Sequence, residues 1–398
     1  QWFMPYMPDV TLVPDASIPG KYTVSASTIA GHLSGPMGSS LDALKVIIDD
    51  GDTDLTNGRT TGRYTTGLFT LSTGSTLIGS QAEVKYILGA KYGIKQSDTV
   101  PARFTNIKDV NITLDSGTRG TVTPLTAALI GDVIELTNGK VTASTSDVSV
   151  SSLVTAGSIA GTGHTITVPT ITDNSVTAAN LKTLDAAITT SLTFDPAGGA
   201  TAPVITGTAS DIKDVFNSST YSTVLNSSVL TVAGNTTVAD ANILNSKTTG
   251  AITATIADTT MAALASLNDK TGSENIYTIS VGDLELDADA LVALVDKVKP
   301  DANNKVTVSA ANTVTGSFDA VHKLLTVAAY TDPLVGAADK AYVITGTNLN
   351  VDAAKLVAID AANDGAGSTT SISSVATITG SSTNVKALYA NAANRING

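Results

Sequence analysis

The chain has 398 residues and a formal net charge of −12, and it contains no cysteine. A disulfide framework, a thiolate metal site and a cysteine nucleophile are therefore excluded. Nucleic-acid binding needs a basic stripe that displaces counterions, and the 23 Lys and Arg residues do not cluster into one. No apolar run is long enough to span a membrane.

Threonine dominates the composition, with about 60 copies, whereas only 15% of the residues are charged. This excess of a β-branched residue predicts many short strands joined by polar turns. Only four of the 35 acidic residues are glutamate, which leaves 31 aspartates. Aspartate caps helices, closes turns and ligates calcium, so both structural and calcium-binding roles are open.

Residues 1–120 differ in composition from the rest and are predicted to form a compact α+β head. An apolar arm, residues 1–8, comes first, and its two prolines forbid helix and weaken strand pairing. The arm either folds back on its own domain or docks on a neighbouring subunit. Trp2, Phe3 and Tyr6 are the candidate assembly contacts in this arm.

Two helices and three strands are predicted in the head. One helix covers residues 41–49, and the other begins at Ser80, where Ser80 and Glu83 form a capping box. The strands are predicted within 64–77, 102–105 and 110–114.

The densest acidic cluster is in the head and contains Asp50, Asp52 and Asp54. Alternating aspartates open a calcium-binding loop. The glycine of such a loop is replaced here by Leu55, and its final glutamate by Thr61. A solvated acidic turn and a weak calcium site are the two interpretations, and no other cofactor is predicted.

A twelve-residue phrase occurs twice, at residues 205–216 and again at 378–389, with a partial copy at 344–347. Internal repeats indicate a solenoid or an array. Strand-like segments recur along the same region and begin near Ile166, Val204, Val229, Ile252, Ile276, Val306, Val343 and Ala376.

Each of these strands is followed by a turn and a short apolar stripe at helical spacing. Leu291, Leu294, Val295 and Val298 form one such stripe. Helices this short are marginal alone, so each coil must stack on its neighbours. The predicted fold is a β/α repeat solenoid over residues 121–398, with one strand and one short helix per coil, after the α+β head.

Aspartate or asparagine stands near the start of several predicted helices, as at Asp211, Asp240, Asp352 and Asn384, where a cap belongs. No polar cap element follows the repeats at residues 394–398. We therefore expect that the chain continues there or meets a partner, because a bare solenoid end exposes strand edges.

Candidate catalytic motifs are weak. His32, His164 and His322 lie in separate segments without metal-ligand spacing. Ser210 and Lys213 match the SxxK pattern of serine acyl-enzymes, but the other copy of the repeat has Thr383 in place of the serine. The sequence therefore predicts a protein that is not an enzyme.

The phrases at 204–208 and 377–389 resemble a repeat of Thr/Ala-rich β-strand repeat proteins of cyanobacterial cell surfaces and of cyanophage structural proteins. Residues 244–250 look like the recurrent turn of that family, between a helix and the next strand. The resemblance covers residues 140–398 and not the head. It implies an extended, non-enzymatic rod that is extracellular or carried on a virion.

The expected function is structural: an extracellular or virion appendage, similar to a phage fibre, with an anchoring head and a projecting repeat shaft. The alternative is a bacterial cell-surface layer protein or adhesin in which the repeats are a spacer. Expected partners are copies of the chain or neighbouring structural subunits, bound through the arm. A receptor on a host surface is a further candidate partner.

Overall fold

The fold is described from a computed structural model, which divides the chain into two compact units. Residues 1–200 with 218–221 form the first unit, and residues 201–217 with 222–398 form the second. The structure describes residues 13–14, 22–23, 69–70, 76–81, 84, 104–105, 107–114, 125–155, 159, 161–196, 202–221, 224–268, 275–298, 303–346, 349–363, 365, 368–372, 375–390 and 396–397.

The described part of the first unit alternates strands with short helices. Its strands are β1 (Val13–Pro14), β2 (Tyr22–Thr23), β3 (Phe69–Thr70), β4 (Thr76–Gly79), β5 (Phe104–Thr105), β6 (Asn111–Leu114), β7 (Val141–Ser144), β8 (Thr165–Thr167) and β9 (Ser175–Thr177). Its helices are a 3-10 turn (Ile107–Asp109), α1 (Ala127–Ile134), α2 (Val150–Val154) and α3 (Ala178–Ala187).

A four-stranded parallel sheet, in the order β4-β6-β7-β8, organises the first unit. Leu77, Ile112 and Val141 occupy one row of this sheet, and all three are fully buried. Alternate residues face outward because successive side chains of a strand point to opposite faces. Helices α1, α2 and α3 pack against one another in chain order.

The second unit continues the alternation over a longer stretch. Its strands are β10 (Val204–Gly207), β11 (Leu230–Thr236), β12 (Ile252–Ile256), β13 (Ile276–Ser280), β14 (Glu285–Asp287), β15 (Lys305–Thr307), β16 (Thr313–Gly316), β17 (Leu334–Val335), β18 (Ala341–Ile344), β19 (Leu349–Asp352), β20 (Thr369–Ile372), β21 (Val375–Thr379) and β22 (Ile396–Asn397). Its helices are α4 (Ala209–Asn217), α5 (Val238–Lys247), α6 (Met261–Leu264), α7 (Ala288–Val298), α8 (Phe318–Thr326), α9 (Ala328–Thr331), α10 (Ala353–Ala362) and α11 (Ser382–Ala390).

All strand pairs reported within the second unit are parallel. One ladder runs β10-β11-β12-β13-β15-β17, a second runs β14-β16-β18-β20-β22, and β19 pairs with β21. Each pairing step in the two ladders advances 20 to 28 residues along the chain, from Asn235 to Thr255 at the short end and from Val314 to Tyr342 at the long end. We call each such step, from strand to strand, one coil.

The predicted alternation of strands and helices is confirmed. Strands lie at or next to all eight predicted positions from Ile166 to Ala376. The predicted stripe of α7 is buried in full, because Leu291, Leu294, Val295 and Val298 are each at most 2% exposed.

The later coils differ from the predicted pattern, because they contain two strands before the helix. In this way β13 and β14 precede α7, and β15 and β16 precede α8. These strands have only three to five residues, and a short polar turn separates the two members of each pair. Between β18 and β19 this turn contains Gly346, whose φ of +150° is one that other residues rarely adopt.

Part of the predicted head lies outside the described residues, including the helix at 41–49. Strand β6 matches the strand predicted at 110–114, and the amide of Val84 donates to the Ser80 carbonyl, as in a helical turn beginning at Ser80. Strands β4 and β6 belong to the same parallel ladder as β7 and β8. The boundary near residue 120 stays a prediction.

Two described turns from a helix to the next strand contain a buried threonine that contacts the preceding coil. Thr137 and Thr248 donate from Oγ1 to carbonyls of the preceding coil, at 2.7 Å to Val110 and 2.6 Å to Ser228. A glycine follows each threonine after one residue, and a Cβ there would lie 2.0 to 2.3 Å from those same carbonyl oxygens. Only glycine, which has no Cβ, fits where the two backbones approach this closely.

In other coils, an asparagine side chain forms the hydrogen bond to the backbone of the preceding coil. Asn275, Asn304 and Asn363 each accept, through Oδ1, a backbone N–H of the preceding coil. All three are at most 8% exposed. Because an unpaired buried amide costs more than the bond itself contributes, these side chains fix the register between coils.

Three tyrosines are fully enclosed in the core. The hydroxyl of Tyr221 donates to the Leu181 carbonyl at 2.9 Å, and that of Tyr342 donates to the Ala337 carbonyl at 2.8 Å. The hydroxyl of Tyr277 has no partner among the described residues. Burial raises the pKa of Tyr277 to about 12, because ionisation in the apolar core is disfavoured.

Because the hydroxyl of Tyr342 has a partner and that of Tyr277 has none among the described residues, replacement by phenylalanine should affect stability differently at the two sites. Tyr277→Phe should leave the free energy of unfolding unchanged or raise it, since it removes a buried hydroxyl without a partner. Tyr342→Phe should lower it by about 0.5–1.5 kcal/mol, since it removes a bond and leaves a buried carbonyl unpaired. Urea melts of both variants measure the effect, and equal destabilisation would contradict the assignment.

Candidate functional site

The start of helix α5 is bound by side chains from two different coils. Thr237, the N-cap, accepts the amide of Asp240 through Oγ1 at 3.1 Å. Asp258, from the next coil, accepts the amide of Val238 through Oδ2 at 2.6 Å. The residue before this aspartate, Ala257, donates its own amide to the Thr236 carbonyl at 2.7 Å.

The same pair of bonds occurs at four helices, and we call it the inter-coil clip. In each clip an aspartate accepts a hydrogen bond from the N–H of the first helical residue in the preceding coil. The residue before the aspartate donates its own N–H to the carbonyl of the residue two positions before that first helical residue. The aspartate bonds are Asp147 to Ala127, Asp173 to Val150, Asp258 to Val238 and Asp283 to Met261, at 2.5 to 2.6 Å.

The clip is stabilising for two physical reasons. The first N–H groups of a helix have no partner within the helix, and negative charge is favourable at that end. A carboxylate acceptor makes a stronger hydrogen bond than a neutral one. The clip therefore completes a short helix and joins two coils at the same time, and it gives a structural role to part of the large aspartate excess.

The predicted caps are correct at one of four positions. Asp352 is an N-cap and accepts the amides of Ala354 and Lys355. Asp211 and Asp240 lie inside the first turn instead, and their amides donate to Thr208 and Thr237. The amide of Asn384 likewise donates to Ser381. The cap is a threonine or serine in these coils because the capping residue directly follows a strand, where threonine also fits.

Of the two histidines that the structure describes, His164 is part of the scaffold. His164 is 5% exposed, and its Nδ1 accepts the amide of Val141 at 3.1 Å, in the same way that asparagine does in other coils. His322 is half-buried on α8. Burial and the nearby Lys355 lower its pKa, while Asp319 and Asp352 oppose that shift.

The SxxK pattern also belongs to the scaffold. Lys213 Nζ forms an ion pair with Asp240 Oδ1 of the next coil at 2.5 Å. Thr208 donates from Oγ1 to Asp211 and caps the same helix. The lysine of the pattern therefore contacts the adjacent coil, and its ammonium is occupied by an ion pair.

The predicted calcium ligands Asp50, Asp52 and Asp54 and the predicted contacts Trp2, Phe3 and Tyr6 lie outside the described residues, so both stay predictions. Within the described ranges, no three histidine, aspartate or glutamate side chains are grouped closely enough to hold a metal ion. The helices described there include none that is long and apolar enough to cross a membrane.

The outward faces of the sheets display hydroxyl groups. Thr142 pairs with Thr165 on adjacent strands of the first unit, and both are exposed. Thr255 and Thr278 form an equivalent exposed pair in the second unit. Such a face can donate and accept hydrogen bonds, but it offers no group that titrates near neutral pH.

No protein-family model matches the chain, and no curated protein or solved structure gives a significant match.

The inter-coil clip predicts a specific effect at Asp258. Asp258→Ala should lower the free energy of unfolding by about 0.5–2 kcal/mol, because it removes an acceptor from a helix start. Asp258→Asn is the matched control, since its amide oxygen still accepts the Val238 N–H and only the charge is lost. Chemical denaturation measures both, and equal losses would show that charge rather than the hydrogen bond matters.

Proposed function

We propose that the coils stack as a β/α solenoid that forms the shaft of a structural protein. The support comes from the parallel ladders, in which each step advances 20 to 28 residues. Stacking gives every short strand and helix a neighbour on each side. The buried Asn and Thr side chains and the inter-coil clips join successive coils in the same way along the chain.

The functional proposal rests on what the polar side chains contact. The four clip aspartates, three buried asparagines and two buried threonines all bind the backbone of the adjacent coil, so these polar side chains are used within the scaffold. The exposed sheet surface carries hydroxyl groups, which suit a surface or a spacer. This chemistry favours a non-enzymatic structural protein of an extracellular or virion appendage, such as a phage fibre-like filament.

In this proposal the head, residues 1–120, anchors the appendage through its arm, and the repeat shaft projects from it. Partners would be copies of the chain or neighbouring structural subunits. The resemblance of residues 140–398 to repeats of cyanobacterial surface proteins and cyanophage structural proteins supports the same class.

The second candidate is a cell-surface layer protein or adhesin in which the repeats are a spacer. The same repeats favour it, because a spacer also needs length but no catalytic groups. The genomic neighbourhood separates the two functions: phage morphogenesis genes support the first, and a protein exporter supports the second.

Solenoid stacking predicts that damage in the core spreads to neighbouring coils. Leu294 on α7 is 2% exposed, so Leu294→Ala should cost about 2–5 kcal/mol. Hydrogen exchange should become faster in the coils of α6 and α8 before it does in the first unit. Leu284→Ala is the control, because Leu284 is 59% exposed. Uniform acceleration over the whole chain would contradict a solenoid.

The appendage function predicts elongated particles and arm-dependent assembly. Electron microscopy of the purified chain should show rods, and removal of residues 1–8 should abolish assembly. Circular dichroism establishes whether the shortened chain still folds. Compact particles would contradict the shaft, and unchanged large assemblies would contradict the role of Trp2, Phe3 and Tyr6.

A further inference from the structure

His164 occupies a place between two coils that asparagine occupies elsewhere. Its Nδ1 accepts the amide of Val141 at 3.1 Å, and Oδ1 of Asn275 accepts the amide of Ile252 at 2.9 Å. In both bonds the partners are 23 residues apart along the chain, so the two side chains are equivalent. The difference is chemical, because an imidazole nitrogen takes up a proton near neutral pH and an amide oxygen does not.

The backbone and the ring of His164 are both held in place. Its N–H donates to the Ala187 carbonyl at 3.2 Å, and its carbonyl accepts the Thr189 amide at 3.1 Å. The side chain is 5% exposed. On the other side of the ring, a Cβ at Gly161 would lie 3.0 Å from Nε2. The imidazole therefore has little room to turn away from Val141.

The bond to Val141 requires that Nδ1 carries no proton. A neutral imidazole has one acceptor nitrogen, whereas both nitrogens of the charged ring are donors. With a proton on Nδ1, two N–H groups would face each other in a buried place. A buried donor without an acceptor costs more than the bond itself contributes, and a buried charge costs more again. Proton uptake by His164 therefore opposes this contact between two coils.

The described elements that adjoin the histidine supply few charged groups. Helix α2 and strand β8 contain none. Helix α3 carries Lys182 and Asp185 at half-buried positions, and Oδ1 of Asp185 accepts the Ser218 hydroxyl at 2.5 Å. Before β7, Nζ of Lys140 lies 4.0 Å from the place that a Cβ of Gly163 would occupy. This ammonium disfavours a second positive charge in the same turn.

We propose that His164 makes the stacking of coils in the first unit sensitive to acid. A free imidazole takes up a proton near pH 6.5. Below that pH the opened coil therefore binds a proton that the closed coil excludes, so opening becomes easier as the pH falls. The coils of the second unit that use Asn275, Asn304 and Asn363 lack this response. The inference does not depend on the proposed function.

Local hydrogen exchange at pH 7.5 and pH 5.5 tests this inference, after correction for the intrinsic effect of pH on exchange. Opening of β7 and β8 should become easier on the order of tenfold, since pH 5.5 is about one unit below the ordinary pKa of histidine. His164→Asn should abolish that response, because its amide oxygen still accepts the Val141 N–H. His322→Asn is the matched control and should leave the response of β7 and β8 unchanged, since His322 is in the second unit.

An equal acid response in the His164→Asn chain would overturn the proposal, and so would loss of the response in the His322→Asn chain. Nitrogen NMR of the unmodified chain gives a second test, which holds even if His164→Asn does not fold. Nδ1 should lack a proton at pH 7.5, and its protonation should coincide with loss of protection at the Val141 amide. A proton on Nδ1 at pH 7.5, or a charged His164 beside a protected Val141 amide, would contradict the inference.

Discussion

The bond from an aspartate to the first helical N–H of the preceding coil is the interaction on which the architecture depends. Helices of four to eleven residues are marginal in water. Their N–H groups at the start need acceptors from elsewhere. Asp147, Asp173, Asp258 and Asp283 supply those acceptors from the adjoining coil. At these four helices, one bond both completes the start of the helix and joins two coils.

A second constraint is that backbone groups of adjacent coils must be paired across turns from helix to strand. Threonine followed by glycine meets this constraint at Thr137 and Thr248, asparagine meets it in three coils, and His164 meets it once. These side chains differ in size but all offer a hydrogen bond to the neighbouring backbone. Since several residues solve one geometric problem, the repeats can diverge in sequence while the coil geometry stays the same.

Local periodicity made the strands and the apolar stripes predictable, because burial on one face leaves a regular pattern within ten residues. The clip aspartates could not be assigned this way, since each bonds to a residue 20 to 23 positions earlier. The second strand of the later coils was missed because three residues carry too little pattern.

The two copies of the repeated phrase show which structural features follow from its own sequence and which depend on the neighbouring coils. Both copies form a strand and a helix, so secondary structure follows from the twelve residues themselves. Burial does not, because Phe216 is 5% exposed and its counterpart Tyr389 is 76% exposed. In a stacked architecture the core of one coil is completed by the next. The burial of a repeat is therefore set by the elements that adjoin it and not by its own twelve residues.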